Sequence, residues 1–121
     1  MNAERGSVSF VLVAAMGLSV ILASFVADVA RASSARTHAQ AAADAAALAA
    51  AQEQILPSVA GPGDLAAEYA RRNGARLVFC RCPENGTESV VVVELDVRLP
   101  GLGVVRTVRA AARAETESPT G

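Results

Sequence analysis

Large rings are scarce in this chain: of its 121 residues only 3% are aromatic, and none is Trp. Lysine is missing too, so all eleven basic side chains are Arg. The shortage of rings excludes a core built on big side chains, even though 52% of the residues are hydrophobic. Much of that share is Ala, which buries little area per residue, so any soluble core must be small. A formal net charge of −1 with no basic run leaves no footprint for nucleic acid. Two cysteines are too few for a disulfide framework. The single histidine, His38, can supply at most one metal ligand. No Ser/His/Asp set, phosphate loop or nucleotide motif is present. The expected catalytic, cofactor-binding and metal-binding residues are therefore none, and neither an enzyme nor a small-molecule substrate is expected.

What the chain does have is a long charge-free run. Between Arg5 and Asp28, residues 7–27 carry no ionisable side chain. As a helix they span about 31 Å, the thickness of a bilayer's hydrocarbon core. Their Val, Leu, Ile and Phe side chains favour insertion by at most roughly 3–7 kcal/mol, enough to outweigh Ser9, Ser19, Ser24 and Gly17. A cleavable secretory signal has a shorter apolar core. Asp28 falls at the water edge with Arg31 as its helical partner. Arg5 on one side and Arg31 and Arg36 on the other give no charge bias that would choose an orientation. Within the run, Ala15, Ser19, Ala23 and Ala27 recur every four residues, a small-residue stripe that would let a second helix approach closely in lipid.

The helical pattern does not end with the span. Residues 29–55 contain neither Pro nor Gly and are rich in Ala, Gln, Glu, Arg and Leu, so the helix should continue outward. Pro57 and then Gly61-Pro62-Gly63 end it. The outer half presents mostly methyl groups (Ala39, Ala42, Ala43, Ala46, Ala50), a face that needs a partner. Residues 64–73 read as a short helix capped by Asp64 and stopped at Gly74. The period then changes to two. Residues 77–80 begin a strand, and Pro83 to Gly86 make a turn. In "ESVVVVELDVRL", Val91, Val93, Leu95, Val97 and Leu99 share one face while Glu94, Asp96 and Arg98 take the other. Pro100-Gly101 with Gly103 forms the next turn, and Val104 to Ala112 is a third strand. Residues 115–121 read as a disordered polar tail.

Cys80 and Cys82 lie one residue apart. In an unbroken strand they would be about 6.6 Å apart along the chain, beyond ordinary disulfide reach. Two readings stay open: small residues packed on one sheet face, or an intermolecular or mixed disulfide in an oxidising compartment. Glu94 and Asp96, with Arg98 beside them, read as a solvated edge. Asn85-Gly86-Thr87 matches a glycosylation sequon but reads better as turn chemistry.

Three stretches, "RGS" at 5–7, "HAQAAADAAALAAA" at 38–51 and "VRLPGLGVVRTVRA" at 97–110, carry a resemblance to type IV pilin-like proteins. More narrowly, the chain resembles the TadE/TadG-like proteins of tight-adherence (Flp) pilus loci, short actinobacterial-type TadE-like members in particular. The resemblance implies a single-pass membrane protein with an extracytoplasmic head. It also implies a minor pilin or pseudopilin that packs through its N-terminal helix with other pilus or secretion subunits. By the same resemblance, a prepilin peptidase would cut after Gly6, leaving Ser7 first. Pilins carry Glu at the fifth mature position, where this chain has Val11.

The expected fold class is α+β: a long N-terminal helix carrying a head of one short helix and a three-stranded antiparallel sheet. The expected divisions are a leader 1–6, a transmembrane helix 7–28, an Ala-rich continuation 29–56, a head 57–114 and a tail 115–121. Two other functions remain open, a secreted effector released from its helix and a stand-alone single-pass membrane adaptor.

Overall fold

The computed structural model describes residues 2–117, with side chains from Glu4 onward. Its first element, α1 (Asn2–Ile55), is one unbroken helix of 54 residues, about 80 Å long. It is followed by α2 (Pro62–Arg72), β1 (Arg76–Arg81), β2 (Glu88–Leu99) and β3 (Val104–Glu115). The strands form one antiparallel sheet in the order β1-β2-β3. This is the α+β architecture the sequence predicts. Met1 and residues 118–121, the ends of the expected leader and tail, lie outside the described residues.

The two halves of α1 live in different surroundings. From Glu4 to Val26 every described side chain is exposed, whereas Ala35, Ala39, Ala42, Ala43, Ala46, Ala47 and Ala50 are buried. The sheet packs on one side of this outer half and α2 on another, so the methyl-rich surface is covered by the chain's own head. Alanine permits that double cover, because a one-carbon side chain lets both layers approach the helix backbone. Val91 and Val93 of β2 supply the largest wholly buried apolar side chains in a cluster otherwise made mainly of Ala. A core built this way depends on fit, since each methyl contributes little area.

Three local features depart from the sequence reading. The N-cap of α2 is Gly61 with Pro62 following, and no side chain caps it, so Asp64 lies inside the first turn rather than at the cap. Proline's fixed φ and missing N–H suit that opening position, and this moves the start of the helix upstream. Strand β1 carries a register irregularity between Leu77 and Phe79. That extra residue lets both Val78 and Phe79 face solvent while Leu77 and Cys80 pack on the core. Strand β3 continues past Ala112 to Glu115, and the Thr116 N–H donates to Thr87 O at 2.7 Å. Gly74, at φ +77°, makes the left-handed stop between α2 and β1.

Candidate functional site

The apolar half of α1 is the first candidate, and its exposure follows from its composition. No polar face interrupts it, and its large apolar side chains from Val8 to Val26 are all exposed. It is the one helix among the described residues long and apolar enough to cross a membrane. Its two central hydroxyls are satisfied within the helix: Ser19 Oγ donates to Ala15 O at 2.8 Å and Ser24 Oγ to Val20 O at 3.0 Å. Neither requires an outside partner in lipid. Of the small-residue stripe, Ala15, Ser19 and Ala23 are exposed, while Ala27 is half-buried. Gly6 and Ser7, the candidate peptidase bond, sit in the first turns of the helix and are exposed.

The second candidate is the place where the span ends. Asp28 is only 2% exposed. One carboxylate oxygen, Oδ2, accepts the Leu102 N–H at 2.8 Å. The other, Oδ1, accepts Arg31 Nη1 at 3.3 Å. The Arg31 pair is the helical one anticipated from spacing, but burial by the β2–β3 turn replaces the expected water-edge setting. The turn comes this close because residue 101 has no side chain: a Cβ there would lie 2.6 Å from Asp28 Oδ2 and 3.2 Å from Ser24 O. Below the turn runs a groove of about 550 Å³ lined by Val20, Ala23, Ser24, Ala27, Arg31, Pro100 and Gly101. Pro100 and Gly101 therefore overhang the last turns of the apolar run. Beside it, between α1 and β3, a wider groove of about 680 Å³ holds Arg36, Gln40, Leu102 and Arg106.

The outward sheet face carries paired charge. Arg109 reaches Glu94 through Nε at 2.9 Å and also through Nη2. Arg76 Nη1 lies 3.2 Å from Asp96, and Thr107 Oγ1 donates to Asp96 at 2.8 Å. Glu88 receives Arg81 at 2.6 Å and Arg113 at 2.7 Å. The Thr107 hydroxyl, and Arg76 after it, hold the Asp96 carboxyl below its ordinary value. Glu94 and Asp96 are thus engaged in cross-strand pairs, and Arg98 is bonded to neither. At the far end of the head, hydrogen bonds from Ser58 lower the Glu53 carboxyl against the opposing effect of burial.

Cys80 and Cys82 are joined to each other within the chain, with Cα atoms 5.5 Å apart. The separation is shorter than an extended strand allows because β1 ends at Arg81, before Cys82. That overturns the geometric objection to a pair, and neither thiol is left over for an intermolecular bridge. His38 is exposed on the outer half of α1. No group of three or more His, Cys, Asp or Glu side chains that could hold a metal occurs among the described residues.

The Asp28–turn contact is the feature of this region that sequence reasoning missed. Its only local trace is the Pro100-Gly101 step, since 74 residues separate the two partners.

Comparison with known proteins bears on α1 alone. No curated protein and no solved structure matches the chain. Residues 6–53 match the family described as "Putative Flp pilus-assembly TadE/G-like", which supports the TadE-like resemblance on the helix that carries both the apolar run and the core of the head.

Proposed function

We propose that this chain is a minor pilin-like or pseudopilin-like structural subunit in the assembly of a tight-adherence (Flp-type) pilus or a related secretion apparatus. The observation that carries this reading is the division of α1: a bare apolar half followed, without a break, by a half wrapped in the head. The family match falls on that helix. In this reading residues 7–27 cross the membrane once and the head stands on the extracytoplasmic side. The subunit works by lateral packing with other pilin-like helices, without catalysis, cofactor or metal. Ala15, Ser19, Ala23 and Ala27 form the packing face, its upper end already taken by the chain's own turn. Gly6–Ser7 is the bond a prepilin peptidase would cut. The Cys80–Cys82 bridge suits an exported, oxidising setting.

Two measurements on native membranes test the proposal. Mass analysis of the mature chain should show loss of six residues; loss of about thirty would mark a secretory signal and a released effector instead. Cross-linking should recover partners with similar N-terminal helices. Ala15→Leu with Ser19→Leu should abolish that recovery while leaving the head intact, because both residues lie below the groove under Pro100. Unchanged recovery would count against this face, and partners without such helices would favour a stand-alone adaptor.

A further inference from the structure

The β2–β3 turn ends in apolar side chains with no cover. Leu102 is 54% exposed and Val105 60%, and Val104 is exposed beside them. Such a cluster at the tip of a polar-faced sheet is out of place in water. Its height explains it. The turn is fastened to Asp28 through the Leu102 N–H and rests against Ser24 O, and it shares a groove with Val20 and Ala23. All but the first of these helix positions belong to the charge-free run. If that run is in hydrocarbon, the turn stands at the level of the headgroups and cannot leave it without breaking the Asp28 contact.

Charge points the same way. In the sheet, the arginines farther from the turn (Arg76, Arg81, Arg109, Arg113) all pair with carboxylates. The two close to it, Arg98 and Arg106, make no ion pair among the described residues, and neither does Arg36 on the facing helix. Register places Arg98 opposite Val105 and Arg106 opposite Val97. Arg106 lies about 7 Å along the strand beyond Val104. Arg36 lies about 12 Å up the helix from Asp28. Along the sheet the order is apolar tip first, free guanidinium groups next, paired charge last, with the Asp28–Arg31 pair enclosed beneath the turn; that order matches the change from acyl chain to phosphate to water. Guanidinium is well suited to phosphate through its planar fork.

We propose that the β2–β3 turn is a second lipid-binding element: Leu102, Val104 and Val105 enter the headgroup region of the bilayer that holds α1, and Arg36, Arg98 and Arg106 engage the phosphates of anionic phospholipids. The proposal rests on the reading of residues 7–27 as a membrane anchor. The two together hold the head at a fixed tilt, by a rod and a lateral foot.

The absence of native Trp makes the test direct. Three full-length variants, Leu102→Trp, Phe79→Trp and Phe10→Trp, are placed in bilayers of phosphatidylglycerol or phosphatidylcholine carrying spin labels at shallow or deep positions. Phe79 is exposed and pairs with Val92, about 26 Å up β2 from the turn. The tryptophan at 102 should be quenched by the shallow label at least about threefold more than that at 79. The one at 10 should respond to a label within the hydrocarbon. Arg98→Gln with Arg106→Gln should roughly halve quenching at 102 in phosphatidylglycerol and leave it unchanged in phosphatidylcholine. If the residue-10 probe sees no lipid, the anchor reading itself falls and the turn proposal with it. If it does and the residue-102 probe is as open to iodide as that at 79, only the turn proposal is overturned. Shielding of residue 102 from iodide without quenching by lipid also overturns it, in favour of a protein contact. Equal behaviour in both lipids, with no effect of the Arg changes, overturns the phosphate contacts.

Discussion

Replacing Gly101 by Ala should unfasten the β2–β3 turn from α1. The added Cβ would sit 2.6 Å from Asp28 Oδ2, 3.1 Å from its Cγ and 3.2 Å from the Ser24 carbonyl oxygen. The Ser24 oxygen belongs to a helix backbone and has little room to move. Asp28 can yield only by rotating its carboxylate, which gives up both the Leu102 N–H and Arg31. Either the turn lifts or the carboxylate turns, and in both cases the 2.8 Å bond is lost. A hydrogen bond to a charged group contributes about 1.5–3 kcal/mol. The Leu102 N–H also reaches Leu99 O at 3.1 Å within the turn, so the lower part of that range applies, about 1.5–2 kcal/mol. Each 1.4 kcal/mol is tenfold in an equilibrium, so amide exchange at Leu102 should speed up roughly ten- to thirtyfold. Hydrogen exchange on full-length protein in nanodiscs reads this directly. Gly63→Ala is the control: it lies in α2 with open space around it and should leave Leu102 unaffected. Exchange at Leu102 within about threefold of wild type in Gly101→Ala would refute the contact as an energetic fastening.

Ala46 is wholly buried between sheet and α2, so Ala46→Leu should destabilise the head by about 1–3 kcal/mol or more through overpacking, read by urea unfolding. Ser89 Oγ is buried and finds no partner among the described residues; Ser89→Ala should stabilise the head by about 1 kcal/mol, and a loss of stability would show that the hydroxyl is bonded after all. Glu53 and Asp96 both have folded-state pKa values below their ordinary 4.5 and 3.8, lowered chiefly by Ser58 and by Thr107. Their contributions are complete above those ordinary values and vanish as pH falls through the lower folded ones, so acid unfolding should begin below pH 4.5, and Glu53→Gln or Asp96→Asn should flatten it.

Most of the architecture was legible because its signals are local. Absence of charge over residues 7–27, absence of Pro and Gly over 29–55, and alternation through 88–99 each report a conformation without help from distant residues. What was hidden depends on pairing. The expected third strand stops at Ala112, yet residues 113–115 pair in register with 88–90, because the neighbouring strand carries the ladder on. The cysteine pair was misjudged because reach was measured along an ideal strand, and the chain leaves the strand between the two sulfurs. Asp28 showed its helical partner, three residues away, but not the amide that buries it. Of the candidate site, then, the greasy rod could be read directly, and the fastening to the head could not.

The unbroken course of α1 has a mechanical consequence. With no hinge between the exposed apolar part and the part that forms the head's core, the two cannot turn independently. When a neighbouring helix grips the rod and rotates it by some angle, the sheet swings through the same angle, as a vane turns with its spindle. In the proposed assembly, the orientation in which one subunit meets the next through its apolar helix would decide which side of its head is presented to the outside.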